Sequence, residues 1–321
     1  MFRLLIAAAC VVLSWSPAPA QPAQFPNRTI KVIVPFAAGG GVDVMARLFA
    51  EKAAPMLGVP VIVENRAGAS GTIGGMVVHQ APPDGYTLLF VPLTHVMANA
   101  VLKSAPYNAV GDFTPVARVG ESTMLVVMSP KMPQKTLAEV AEAARAKPAE
   151  WTIATSGLGS AGHVASIELN NVSKANMTIT PYRGTAPALT DVMGGHVQIL
   201  IDSILTLLPP ARDGKVKALA ITASKRSPLA PEVPTAAESG MPSLTFTSWF
   251  GFFGPKGLPD DVVSKLNATF NEAGRKLAEE KRLVPLGAEA VAETPADFGR
   301  FVHAQVERNT RLLQGAGFQP Q

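Results

Sequence analysis

Apolar and polar positions follow two rhythms along this chain. Ile30-Lys31-Val32-Ile33-Val34 is a β-branched run stopped by Pro35, which predicts a strand. Val42, Met45, Ala46 and Phe49 then recur at the i, i+3, i+4, i+7 spacing of a helix face. Val61-Ile62-Val63 predicts a second strand, and a Gly-rich turn from Gly68 to Gly75 leads into a short helix. Pro82-Pro83-Asp84-Gly85 is a turn, and Tyr86 to Val91 a third strand. This βαβαβ order requires a parallel sheet with right-handed crossovers.

The middle of the chain repeats the theme. Leu125 to Met128, Trp151 to Thr155, Met177 to Thr180, Val197 to Ile201 and Lys217 to Thr222 predict strands. Between them, Thr136-Leu137-Ala138-Glu139 has the form of a capping box, and helices are expected over Val164 to Val172 and Ala186 to Met193. The end differs: an aromatic strand from Thr247 to Phe253, then a helix with the stripe Val262, Val263, Leu266, Phe270, Ala273 and Leu277. Thr294-Pro295 with Asp297 opens a last helix. Two β/α units and a helical tail fit an α/β chain of two domains better than one doubly wound sheet, because single cores stop growing near about 250–300 residues. Val116 to Met128 and Lys217 to Ser224 are the expected crossings. Residues 21–122 plus 225–321 then form one domain, and residues 123–224 a second, inserted one.

Composition narrows the function. Apolar residues make up 47% and are evenly spread, which excludes a disordered chain. The net charge of +4 comes from scattered basic residues with no run, which excludes a nucleic-acid binder. Met1 to Ala20 has the form of a secretory signal: Arg3, an apolar stretch from Leu4 to Leu13, and Ala18-Pro19-Ala20 before a cleavage at Gln21. That apolar stretch is half the ~20 residues of a spanning helix. Cys10 is the only cysteine, so the mature chain would carry no disulfide and no thiol nucleophile. An exported, periplasmic protein is expected, with no cofactor and as a monomer.

The candidate chemistry sits at strand ends. Phe36-Ala37-Ala38-Gly39-Gly40-Gly41 joins the first strand to its helix, where free amides and the helix dipole favour an anion. It lacks the Gly-Lys-Ser/Thr of a nucleotide loop, and a tight turn without a ligand is the alternative. Ser156 to His163 contains Gly157, Gly159 and Gly162 in a G-x-G-x-x-G pattern. The acidic residue of a dinucleotide site is missing downstream, which speaks against a nicotinamide cofactor. Ser156 and Ser160 can still donate to an anion. Arg183-Gly184 and Asp202-Ser203 occupy two more strand ends, where parallel α/β domains bind ligands; Arg183 could pair with a carboxylate, and Asp202 is expected mainly to brace structure. Thr94 and His95 follow a strand and either line a cleft or pack. A Ser160–His163–Asp202 triad can be written, but residues three apart at a helix start do not obviously place base on nucleophile. The histidines at 79, 95, 163, 196 and 303 show no metal spacing.

Taken in order, several segments carry a resemblance. They are Ile33-Val34-Pro35-Phe36-Ala37-Ala38-Gly39-Gly40, Val63-Glu64-Asn65-Arg66-Ala67-Gly68, Pro83-Asp84-Gly85-Tyr86-Thr87-Leu88-Leu89, Gly157 to His163, Pro181-Tyr182-Arg183-Gly184 and Ser248-Trp249-Phe250-Gly251. The chain resembles the Bug-type family, the extracytoplasmic solute-binding proteins of tripartite tricarboxylate transporters. The resemblance implies a type II periplasmic-binding-protein fold, two α/β domains joined by two crossing strands around a central cleft. It implies a small carboxylate ligand, a dicarboxylate, tricarboxylate, acidic amino acid or aromatic acid, captured by cleft closure and presented to membrane transporter subunits. One carboxylate would be held near Phe36 to Gly41, and the distal group by Ser156 to His163, Arg183-Gly184 and Asp202-Ser203. Val42, where the family often has Thr or Ser, and Val91-Pro92-Leu93 point to a less polar distal group. A secreted α/β enzyme, hydrolase or nucleotide-dependent oxidoreductase, and a sensor for a membrane kinase are the alternatives.

Overall fold

The computed structural model describes residues 25–321; the expected signal segment, with Cys10, lies outside them. The chain opens with β1 (Ile30–Val34), α1 (Gly41–Leu57), β2 (Val61–Asn65), α2 (Thr72–His79) and β3 (Thr87–Val91). Strand β1 lies between β2 and β3 and is parallel to both, as the alternating pattern requires. Gly74 and Gly75, expected in the preceding turn, lie inside α2. A methyl on Gly74 would come within 2.7 Å of Pro35, and one on Gly75 would strike the Tyr107 ring, so the bare backbone lets α2 lie close to its neighbours. Two short helical turns follow, α3 (Leu93–Val96) and α4 (Ala98–Val101), where a loop was expected.

The next strand, β4 (Phe113–Met128), has 16 residues and begins well before the expected Leu125. After it come α5 (Leu137–Ala146), β5 (Thr152–Thr155), α6 (Ala161–Ser173), β6 (Thr178–Pro181) and α7 (Thr185–Gly194). Then β7 (Ile199–Ser203) runs into α8 (Ile204–Arg212), and β8 (Lys217–Ile221) follows. The chain ends with β9 (Thr247–Pro255), α9 (Asp260–Glu279), β10 (Ala288–Ala290) and α10 (Pro295–Gly315). Thr136 and Thr294 cap α5 and α10 by accepting the amides of Glu139 and Asp297, as their sequences predict.

The strand order is β2-β1-β3-β9-β4-β7-β5-β6, with β8 and β10 also paired to β4. The ladder is therefore connected from edge to edge, and β4 is the connection. Its residues Phe113 to Thr123 pair antiparallel with β9, with two register shifts that bend the strand. From Met124 onward its partners become β7 and β8. The second crossing lies later than Lys217 to Ser224, because β8 stays paired to the second half of β4. The chain passes back between Thr222, whose amide donates to Met124, and Thr247, paired with Thr123.

Hydrophobic packing follows this division. Val32, Phe49, Phe90, Phe252 and Phe270 form one core beneath α1 and α9. Leu125, Val127, Leu200, Ile204 and Leu207 form another beneath α7 and α8. On the opposite face a single cluster, including Leu89, Met97, Val126, Val164, Trp249 and Phe298, runs from one half to the other. Each such large side chain contributes on the order of 1.5–3 kcal/mol of burial.

Candidate functional site

Strand β1 ends at the buried Pro35, and the chain then turns outward. Phe36 is half-buried, Ala37 to Gly40 are exposed, and Gly41 is half-buried. Gly40 is the N-cap of α1 and offers no side chain to the helix start. Among the described residues, the amides of Ala37, Ala38, Gly40, Gly41, Val42 and Asp43 have no acceptor. Four unsatisfied amides at a helix start are ordinary. Here they continue without interruption into an exposed loop, and the 17-residue helix behind adds its dipole.

Asp43 fixes the shape of this turn. Its carboxylate is buried and accepts from the Gly39 amide (2.9 Å), Arg47 Nε (3.0 Å) and Asn65 Nδ2 (2.9 Å). Asn65 Nδ2 also donates to the Phe36 carbonyl at 3.1 Å, which ties the loop to the end of β2. Burial pushes the Asp43 carboxyl up, but the three donors outweigh it and hold the group below its ordinary value. Asp43 is thus an anionic brace whose charge Arg47 offsets.

Across from the turn, the ends of β5, β6 and β7 meet at Asp202. Its Oδ1 accepts from the Ser203 amide at 2.7 Å, and its Oδ2 from Thr185 Oγ1 at 2.9 Å. Burial raises the pKa of this carboxylate against these bonds. The Gly184 amide donates to the Ser156 carbonyl at 3.0 Å. Ser156, Gly184, Asp202 and Ser203 therefore lie in one knot, with Asp202 accepting from Ser203 and Thr185 within it. Ser160 caps α6 by accepting the His163 amide (3.1 Å), and Ser203 caps the start of α8 by accepting the Leu205 amide (3.3 Å). Arg183 is exposed and makes no ion pair among the described residues.

Both candidate histidines are buried. The His163 Nδ1 accepts the Gly159 amide at 3.2 Å, its ring lies edge-on to Phe318 at 5.2 Å, and burial lowers its pKa to about 4. With that nitrogen engaged by Gly159 and Asp202 tied elsewhere, the Ser160–His163–Asp202 triad does not assemble. His95 sits among Tyr107, Phe113 and Phe253, at ring distances of 5.6, 4.7 and 5.8 Å, and burial lowers its pKa to about 3. It packs rather than lining a cleft; Thr94 beside it is half-buried. Among the described residues no group of three metal-ligating side chains exists.

The two halves approach each other at the turn. A methyl placed on Gly41 would lie 3.6 Å from Cδ2 of Leu205, at the start of α8. Sequence reasoning missed Leu205. Its signal was a Ser203 cap directly before an apolar run. A cavity of about 750 Å³ lies near Lys135, Leu208, Arg212 and Glu232. Another of about 550 Å³ lies near Glu121, Lys225, Thr247 and Arg308. Neither is lined by a predicted site residue.

A family model described as tripartite tricarboxylate transporter family receptor matches residues 45–318. The chain belongs to this receptor family. It is 35% identical to protein BugT of Bordetella pertussis, over 94% of this chain and 93% of the relative. Among solved structures it is similar to the periplasmic binding protein BugD, with a TM-score of 0.82 and 35% identity, covering 92% of this chain and all of that one (100%). MatC from Rhodopseudomonas palustris with bound malate aligns at a TM-score of 0.80 and 37% identity, over 90% of this chain and 100% of that chain. An R. palustris protein with adipate aligns at 0.82 and 31%, over 92% and 100%. The receptor family and its periplasmic-binding-protein fold are those expected from the sequence, and its members are solute receptors rather than enzymes. No helix among the described residues is long and apolar enough to cross a membrane.

Proposed function

We propose that this receptor is exported to the periplasm through its first twenty residues, captures a small carboxylate between two lobes and hands it, as a monomer, to membrane transporter subunits. The lobes are residues 21–122 with 225–321, and residues 123–224. The change of β4 partners at Thr123 and Met124 supports this division. The observation that carries the reading is the exposed Phe36–Gly41 turn with its unclaimed amides at the head of α1. Several such N–H groups replace the hydration that a carboxylate loses on entering a cleft. The free amides of Ala37, Gly40 and Gly41 hold the anion, with Phe36 and Gly39 shaping the turn; the knot around Ser156, Gly184, Asp202 and Ser203, with Ser160 and Arg183 at its rim, closes over it. A ligand touching both lobes has higher affinity for the closed arrangement and shifts the population towards it. The solved relatives with malate and adipate, both carboxylates, support the class.

Gly40→Asp tests it. Gly40 has φ −74° and ψ 164°, an extended geometry that suits an aspartate N-cap, and a side chain there meets only the Ala37 carbonyl, at 3.5 Å. The new carboxylate would take the amides meant for the ligand without straining the fold. Calorimetry with carboxylic acids should show affinity falling at least about tenfold while the melting temperature holds or rises. Unchanged affinity for an acid that the wild type binds would overturn the assignment of the turn.

A further inference from the structure

We propose that Leu205 makes this cleft a receptor for monocarboxylates with an apolar body, discriminating against acids that carry a second carboxylate at the far end. The inference rests on the carboxylate reading of the Phe36–Gly41 turn and narrows it. Leu205 is the second-lobe side chain that reaches the turn, its Cδ2 being 3.6 Å from a methyl on Gly41. A ligand whose carboxylate sits on the turn's amides therefore meets a branched hydrocarbon as its next neighbour across the cleft. Val42 and Phe36, both half-buried, continue that apolar surface on the first lobe.

Most of the hydroxyls that could receive a second carboxylate are already engaged. Thr185 bonds Asp202. The Ser160 hydroxyl lies 3.0 Å from Thr155 Oγ1 and accepts the His163 amide. That of Ser203 lies 3.2 Å from Ser122 Oγ and accepts the Leu205 amide. A distal carboxylate placed against these groups would lose hydration without gaining donors. Two polar features remain, the uncapped start of α7 at Gly184 and Arg183 beside it. Its guanidinium is exposed, and an exposed charge pair contributes little.

Hexanoate and adipate share a chain and differ only at the far end, so the pair isolates the claim; benzoate provides a rigid apolar body. Calorimetry on the purified full chain should give hexanoate or benzoate affinities about tenfold or more above adipate. Leu205→Ala should weaken hexanoate about fivefold or more, leave adipate within about twofold, and keep the ligand-free melting temperature. Leu205→Met, which retains an apolar reach, should preserve the preference, and Leu205→Arg should reverse it. Adipate binding as tightly as hexanoate, or adipate binding abolished by Arg183→Gln, would overturn the inference while leaving the carboxylate reading intact. So would equal weakening of both acids by Leu205→Ala. Neither acid binding, or hexanoate binding unaffected by Gly40→Asp, would instead overturn the carboxylate reading and the inference with it.

Discussion

A methyl on Gly162 would strike the carbonyl oxygen of Ile201, because α6 crosses β7 at close range. Gly159 has φ +72°, and a methyl there would come within 3.0 Å of Met97, so its left-handed turn also lets the loop lie against α3 and α4. Two glycines of the dinucleotide-like pattern are therefore explained by packing. The same turn positions His163, whose neutral ring accepts the Gly159 amide. With a folded pKa of about 4 against an ordinary 6.5, the unfolded chain takes up the proton first. The contribution of His163 is complete above about pH 6.5 and is lost as the pH falls towards about 4. His95, lowered to about 3, acts in the same direction. Together these amount to a few kcal/mol in order of magnitude. The urea midpoint should fall across this window, and His163→Asn, which can accept the same amide without titrating, should flatten the slope. A midpoint in the wild type that stays constant from pH 6.5 to 4 would contradict the assignment. The spacing of these glycines was plain in the sequence. What approached them was not, because Ile201 and Met97 come from distant parts of the chain.

Four helices start at the interlobe surface, and their beginnings differ. Ser160 caps α6 and Ser203 caps α8, whereas α1 and α7 begin at uncapped glycines, Gly40 and Gly184. Ser160→Ala and Ser203→Ala should each cost about 1 kcal/mol in urea unfolding. Each change also deprives a buried hydroxyl of a partner, Thr155 for Ser160 and Ser122 for Ser203, which adds to the cost. Neither change should mimic Gly40→Asp in ligand affinity. The β-branched runs of β1 and β2 and the stripes of α1 and α9 were legible because each repeats one period over a whole element. The first half of β4 was hidden by Arg118 and Glu121, which look like surface residues until folding brings Glu293 to the Arg118 guanidinium at 2.9 Å and Phe301 beneath it at 3.8 Å. Helix α8 was hidden by Pro209 and Pro210, which lie in its last turns. That omission concealed Leu205, which lies against Gly41 at the turn.

On the scale of the whole molecule, the two lobes are joined unequally on their two faces. Beneath α1 and α9 on one side, and α7 and α8 on the other, the cores are separate; the lobes meet where Gly41 faces Leu205 and where Gly287 lies against the buried Ile204 of α8. On the opposite face one apolar cluster spans both lobes, Phe318 lies against His163, and the Gln321 amide and carbonyl pair with Val101 and Lys103. Parting the lobes on that face would expose buried hydrocarbon at about 25 cal/mol per Å², whereas parting them at the turn exposes little. Opening and closing should therefore pivot on the shared cluster and swing the Gly41–Leu205 edge. Amide exchange with and without a bound carboxylic acid distinguishes the two faces. Protection should rise over residues 37–44 and 203–207, where amides gain an acceptor and the edge closes, and stay level over residues 97–101 and 160–164. Equal gains on both faces would mean that the lobes move about some other axis, or that the acid stiffens the whole chain rather than closing one side of it.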